Sequence, residues 1–395
     1  MWRLGFFFHE MAFGLLSVFL PLYIITIGGS LLEIGILSAV ALFLAIPASF
    51  FWGYICDKTR HYKRYILISF FASALFLYLF TLSTNVTLLI VLYAMMSILH
   101  VAHEPPKNVL IAELYSRKDW EKSFAFYEGF TEIGWLIGLV LGFFMSAYGF
   151  SAVSELVLCS GLNLIAFITS LILVTDPLLI FERGLVNIEK TIEFASKGIV
   201  IASRILDGLS TDERLKRENL RAFCIGLVLF SISTSILFTP LPIFFSKELA
   251  LPTSMVFAIY ALNSSGGVLG YFLVSKKSIQ QTEKFQISRI ALFRSILTFL
   301  LAGVALIPTY NVILAIIILI LMGFVYAFFI VYTLSLSMEL IPAGKAGLFN
   351  VLLGIGGACG SFIGPFIAQA FGFTCVILTA SVIFFFAYVS FKIFA

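Results

Sequence analysis

The stretch Gly53-Tyr54-Ile55-Cys56-Asp57-Lys58-Thr59-Arg60-His61-Tyr62-Lys63-Arg64 sets five formal charges between two long apolar runs. Charge at that density stays in water, so the runs on either side of it must leave water together. Composition agrees. Of 395 residues, 61% are hydrophobic and 12% charged, with a mean hydropathy of +1.08; soluble domains hold about 45–50% apolar residues. Lipid offers a backbone no hydrogen-bond partner, which leaves helices as the way for such segments to cross. The expected fold class is therefore all-α, an integral membrane protein.

A crossing helix needs roughly 20 apolar residues, and on that scale the chain reads as twelve transmembrane helices. They fall at about 4–27, 31–55, 65–84, 86–114, 122–148, 152–175, 221–246, 253–275, 287–308, 311–340, 345–371 and 373–394. The segment 176–220 holds eight acidic and seven basic residues and no run apolar enough to span. Its apolar positions recur every three or four residues from Leu185 to Leu209, the pattern of an amphipathic surface helix. The expected organisation is an N-terminal six-helix half over 1–175, a cytoplasmic linker over 176–220 and a C-terminal half over 221–395. Of the 25 Lys and Arg residues, only Lys247 is placed opposite Arg60 and Lys63. The positive-inside rule then puts both termini in the cytoplasm of a multi-pass protein of the plasma membrane. The first apolar run shows no cleavage site and continues straight into the next span. The net charge of +4 belongs to cytoplasmic loops, so no nucleic-acid partner is expected. Cysteines 56, 159, 224, 359 and 375 show no paired or metal-type spacing and read as small core residues.

The two sides of the linker repeat one another. Gly134, Gly138 and Gly142 return as Gly356, Gly360 and Gly364, each displaced by 222 residues; Gly53-Tyr54 returns as Gly270-Tyr271, and Glu113-Leu114 as Glu339-Leu340. Together with the 53–64 stretch this pattern resembles the major facilitator superfamily of transporters. That family's loop signature is a glycine, three residues, Asp, a basic residue, any residue, a second glycine and a basic cluster. Gly53, Asp57, Lys58, Lys63 and Arg64 match it, while Arg60 replaces the second glycine, which predicts a wider turn. The resemblance implies two parallel six-helix halves that alternate access to a central cavity. It further implies that Asp57 engages the start of span eleven and that the basic residues meet Glu113, latching the cytoplasmic side. Glycines four apart let helices approach closely, and the expectation is that spans five and eleven use them at the interface between halves.

Ionisable residues inside spans are costly, by roughly 2.5–3.5 kcal/mol on insertion scales, and normally face a cavity or a partner. Eight fall in the first half: His9 and Glu10 in span one, His100, His103, Glu104 and Lys107 in span four, Glu128 and Glu132 in span five. His100 and Glu104, His103 and Lys107, and Glu128 and Glu132 are each four apart and so share a helical face. Pro105-Pro106 breaks span four beside them. Three readings stay open: a salt bridge of Lys107 with Glu104 or Glu132 that holds spans together, a proton-coupling cluster, or divalent-metal binding by His100, His103 and Glu104.

The second half offers uncharged polarity instead. Thr234, Asn263, Tyr326, Tyr332 and Asn350, with Tyr23 of span one, are candidates to line a weakly polar, aromatic wall suited to an amphipathic organic solute. No nucleophile–base pair, resident-metal motif or phosphate-cradling loop is present, so neither an enzyme nor an ATP-driven pump is expected, and no cofactor. The sequence reads as a monomeric secondary transporter of a small molecule in the lipid bilayer, coupled to protons. Drug or metabolite efflux by proton antiport is preferred; the alternatives are a proton-linked importer of an organic solute and a divalent-metal transporter using His100, His103 and Glu104.

Overall fold

The computed structural model describes residues 2–114, 120–176, 219–276, 283–306, 311–340 and 347–394. Of the linker expected at 176–220, Asp176, Asn219 and Leu220 are described and the rest lies outside the described residues. The first half contains α1 (Leu4–Thr26), α2 (Leu31–Thr59), α3 (Tyr62–Phe80), α4 (Val86–His100), α5 (Glu104–Leu114), α6 (Trp120–Ala147) and α7 (Ala152–Leu173). A 3₁₀ turn, Val101–His103, joins α4 to α5 into one span. The second half contains α8 (Leu220–Phe238), α9 (Thr253–Lys276), α10 (Glu283–Ala302), α11 (Asn311–Leu340), α12 (Gly347–Phe371) and α13 (Phe373–Phe394). Eleven spans among the described residues are long and apolar enough to cross a membrane. The twelfth crossing is α10, less apolar because it carries Arg289 and Arg294.

Caps at the ends away from the 53–64 stretch follow from the sequence. Ser30 accepts the Glu33 N–H at 3.2 Å while its own N–H donates to Glu33 Oε2 at 2.7 Å, a capping box that starts α2 sharply. Gly149 at φ 71° and Gly372 at φ 86° close α6 and α12, in the left-handed conformation that glycine adopts without steric cost.

The glycine ladders correct one expectation. A Cβ on Gly134 would lie 2.5 Å from the Phe7 carbonyl oxygen, and one on Gly138 only 1.9 Å from that of Met11. On the other side of the repeat, Gly356, Gly360 and Gly364 face the carbonyls of Val228, Ile232 and Ile236 at 2.6, 2.2 and 2.3 Å. The ladders therefore pack α6 on α1 and α12 on α8, each within its own half. Only Gly142, against the Phe257 ring, looks across. The register repeats too: each pair in the first half is 127 residues apart and each in the second 128.

Between halves the packing is α6 on α9 and α2 on α12. Both pairs run antiparallel. Gly129 lies beside Tyr271 and Gly142 beside Phe257, while Gly35 lies beside Pro365 and Gly354 beside Ile46. At the capped end, the Leu32 N–H donates to Gln369 Oε1 at 3.0 Å and ties α2 to α12. Large apolar side chains such as Phe43, Phe71, Ile172 and Phe299 point outward, as lipid contact requires. Cys56 and Cys159 are buried, but Cys359 and Cys375 are exposed, so the expectation of five core cysteines holds for only part of the set.

Candidate functional site

The site starts with the break in span four. Pro105 and Pro106 have no N–H to give the carbonyls four residues back, and the chain tightens ahead of them, so the interruption falls at 101–103 and the prolines open α5. The Glu104 N–H bonds the Val101 oxygen instead of that of His100. The His100 carbonyl, released from the helix, accepts from Ser69 Oγ at 2.6 Å and from His103 Nδ1 at 2.6 Å. Two prolines thus fix the ring of a buried histidine.

His9 of α1 meets it. His9 is fully buried and His103 is 1% exposed, and the ring centroids of His9, His100 and His103 lie 4.9 Å apart in every pairing. His9 Nδ1 lies 2.6 Å from Asn163 Oδ1, and the Asn163 amide donates to the Cys159 carbonyl at 2.9 Å. Rings of Phe6, Phe13 and Phe70 pack against the trio. Asn163 of α7 carries no charge, and no spacing in the sequence linked it to His9.

Charge continues from the trio toward α6. Glu104 Oε1 is 3.3 Å from His103 Nε2, and Glu104 Oε2 is 2.6 Å from Lys107 Nζ. Of the two partners expected for Lys107, Glu104 is the one that pairs with it. Lys107 also lies within electrostatic reach of Glu10 and Glu128 and sits 5.6 Å from the Tyr127 ring centroid. Glu132 leaves this group: Ser264 Oγ donates to its Oε1 at 2.5 Å. A Cβ on Gly267 would stand 3.5 Å from the same oxygen, so α9 offers the carboxylate a hydroxyl and a notch. The shared face of Glu128 and Glu132 is split, one toward Lys107 and the other across the half interface.

The 53–64 stretch is tighter than expected. α2 runs on through Asp57 and Lys58 to Thr59, and α3 starts at Tyr62, so Lys63 and Arg64 stand in its first turn. Arg60 takes φ 56°, ψ 24°, and its N–H bonds the Cys56 oxygen at 2.8 Å. The arginine adopts the left-handed conformation that the signature's second glycine would supply, and the turn stays narrow. Lys58 Nζ lies over Tyr54 at 5.8 Å, and the Lys63 N–H donates to Asp176 Oδ1 at 2.8 Å. Among the described residues, nothing lies within 4 Å of a Cβ built on Gly53. Asp57 is exposed; the side chain of Glu113 and the residues just before α12 lie outside the described residues.

The uncharged candidates are spread through the bundle. Thr234 Oγ1 donates to the Phe230 carbonyl at 2.9 Å and the Asn263 amide to that of Leu319 at 2.6 Å. Tyr23 is buried and stacks on Phe19 with centroids 5.2 Å apart, Tyr332 is buried, and Asn350 is exposed. Tyr326 faces Arg294, one of the two arginines of α10. Arg294 is 1% exposed, donates to the Met322 carbonyl, and lies over the rings of Phe238, Tyr326 and Phe384 at 5.3–5.6 Å. Carbonyl and aromatic faces together keep a guanidinium inside an apolar bundle.

The repeated glycine ladders, and packing along α6–α9 and α2–α12 with ionisable groups beside one seam, are the arrangement of transporters built from parallel repeats. A family model described as Major Facilitator Superfamily matches residues 4–352. The chain belongs to that superfamily, whose members carry small solutes by secondary transport. The fold is shared with solved structures of low identity. A point mutant of the nucleoside transporter NupG aligns at TM-score 0.76 and 14% identity, covering 100% of this chain and 99% of that one. The human organic anion transporter MFSD10 (TETRAN) aligns at 0.69 and 14%, covering 99% and 97%. A second structure of NupG aligns at 0.69 and 15%, covering 99% and 98%. No curated protein sequence matches the chain.

Proposed function

We propose that this protein exchanges an organic solute for protons, with efflux by antiport as the direction and Glu132 as the carboxylate that couples the two. The observation that carries the reading is the contact of Glu132 with Ser264. It is a carboxylate on one half held by a hydroxyl on the other, so any rocking of the halves changes what the carboxylate touches. An anion that loses its hydrogen-bond donor in a low-dielectric seam gains a proton more readily. Glu10 and Glu128, near Lys107, set the field around it. A weakly polar solute fits the aromatic and amide groups at Tyr23, Thr234, Asn263, Tyr326, Tyr332 and Asn350. The nucleoside transporter NupG and the organic anion transporter MFSD10, which share the fold, support an organic cargo. Asp57, with Gly53, Lys58, Lys63, Arg64 and Glu113, serves as the conformational latch on the cytoplasmic side. The protein acts as a monomer in the plasma membrane, with both termini cytoplasmic.

The test uses purified protein in vesicles that enclose a pH-sensitive dye, with a compound collection added outside and no initial pH gradient. An antiporter makes the lumen more alkaline as its solute enters. A symporter makes it more acidic, which would favour the import reading. A compound that enters by the protein with no dye response contradicts proton coupling.

A further inference from the structure

We infer that His9, His100 and His103 form a binding site for a transition-metal ion of the zinc class, joining α1 to the broken fourth span. One ligand atom from each residue lies within 4.8 Å of the others. The hydrogen bonds around them decide which nitrogens are free. Because the Asn163 amide is spent on the Cys159 carbonyl, Asn163 presents its oxygen to His9, and His9 Nδ1 must be the donor. Nε2 then carries the lone pair, and that atom is buried without a hydrogen-bond partner. At His103, Nδ1 meets the His100 carbonyl, which only accepts, and is the donor there; Nε2 faces Glu104 Oε1 at 3.3 Å and becomes a ligand when the ion displaces its proton. His100 Nδ1 is also buried without a partner. Outer nitrogens held by an amide oxygen and a carbonyl are how proteins orient metal-binding imidazoles.

Charge and spacing fit the same ion. Three neutral imidazoles suit zinc, copper, nickel or iron and not magnesium or calcium, which take oxygen ligands. Glu104 Oε1, 3.3 Å from His103 Nε2, borders the trio and brings negative charge beside the ion. Metal–nitrogen bonds of about 2.0–2.1 Å in a tetrahedron place ligands roughly 3.4 Å apart. Closing from 4.8 Å to that spacing is a change of about 1.4 Å, and His100 is the partly exposed member of the trio. Lys107 does not oppose the ion, since Glu104 Oε2 holds its ammonium at 2.6 Å. His9 is thus the ligand that sequence spacing did not supply, and Glu104 borders the trio instead of completing it. The site stands apart from the coupling role of Glu132, and its test reads binding, not transport.

Tag-free full-length protein in detergent is titrated with Co²⁺, whose visible absorption reports coordination number. The expected result is one equivalent of four-coordinate Co²⁺, displaced by Zn²⁺. Affinity should fall at least tenfold in His9→Ala and His100→Ala, and about 10–100-fold in Asn163→Ala, which only releases the His9 ring. The chain's remaining histidine, His61, bonds the Thr59 carbonyl outside the cluster, so His61→Ala should bind as the unmodified protein does. Melting of each variant without metal identifies those that fold, and if His9→Ala does not, His100→Asn decides. Absence of a four-coordinate band, a band unchanged in His100→Asn, or a band lost in His61→Ala overturns the site.

Discussion

Arg60 shows how far a single residue can be read from the sequence. Its place in the signature was plain, and so was the departure from glycine, but the turn did not widen as expected. Backbone geometry prevailed over side-chain preference: the Cys56 carbonyl still accepts the N–H that ends α2. A non-glycine residue in the left-handed region costs about 1–2 kcal/mol, partly offset by the lower chain entropy of an arginine in the unfolded state. Arg60→Gly should therefore raise stability by about 0.5–1 kcal/mol, seen as a higher melting temperature of the purified protein; a fall would contradict the strain. His9 teaches the reverse lesson. Its titratable ring was legible in span one, but Asn163, 154 positions away, is an uncharged residue that only the packing of α1 on α7 brings to it.

At the scale of elements, the twelve spans and the repeat were visible because lipid imposes a length and an apolarity that periodicity reveals. What the glycines touch was not visible, since a glycine facing a carbonyl and one facing open space are the same letter. Gly138 has the Met11 oxygen where its Cβ would go, Gly360 has that of Ile232, and Gly53 has nothing among the described residues. Gly138→Ala and Gly360→Ala should each destabilise the protein by about 1–3 kcal/mol through overpacking, whereas Gly53→Ala should leave its melting within about 0.5 kcal/mol of the parent. Thermal unfolding of the three variants checks this, and equal effects at all three would contradict the assigned contacts. The broken fourth span belongs to this scale as well. The prolines announced a break, but the histidine carbonyl that it frees is a consequence of where the 3₁₀ turn falls.

For the whole molecule, the class follows from the sequence match and the fold, and orientation rests on charge. Thr59, beside the charged turn, and Ser30, at the capped start of α2, mark opposite ends of one helix. In a cysteine-free version, Thr59→Cys should label with an impermeant reagent only from the cytoplasmic face and Ser30→Cys only from the other. Both labelling from outside would contradict the arrangement. The sequence located eight ionisable groups in one half but not their division, because helical spacing places side chains on a face without saying what the face meets. Glu104 is held by Lys107 and His103, while Glu132 reaches Ser264 on the other half. On the proposed reading, that division makes Glu132 the residue on which coupling turns. Glu132→Gln removes the charge and keeps the hydrogen-bonding shape, imitating a carboxyl that never releases its proton. The direct measurement compares, in the same vesicles, one-for-one exchange of labelled solute with its accumulation against a gradient under an imposed pH difference. The account predicts that exchange persists in Glu132→Gln while pH-driven accumulation is lost; full accumulation in that variant would contradict it.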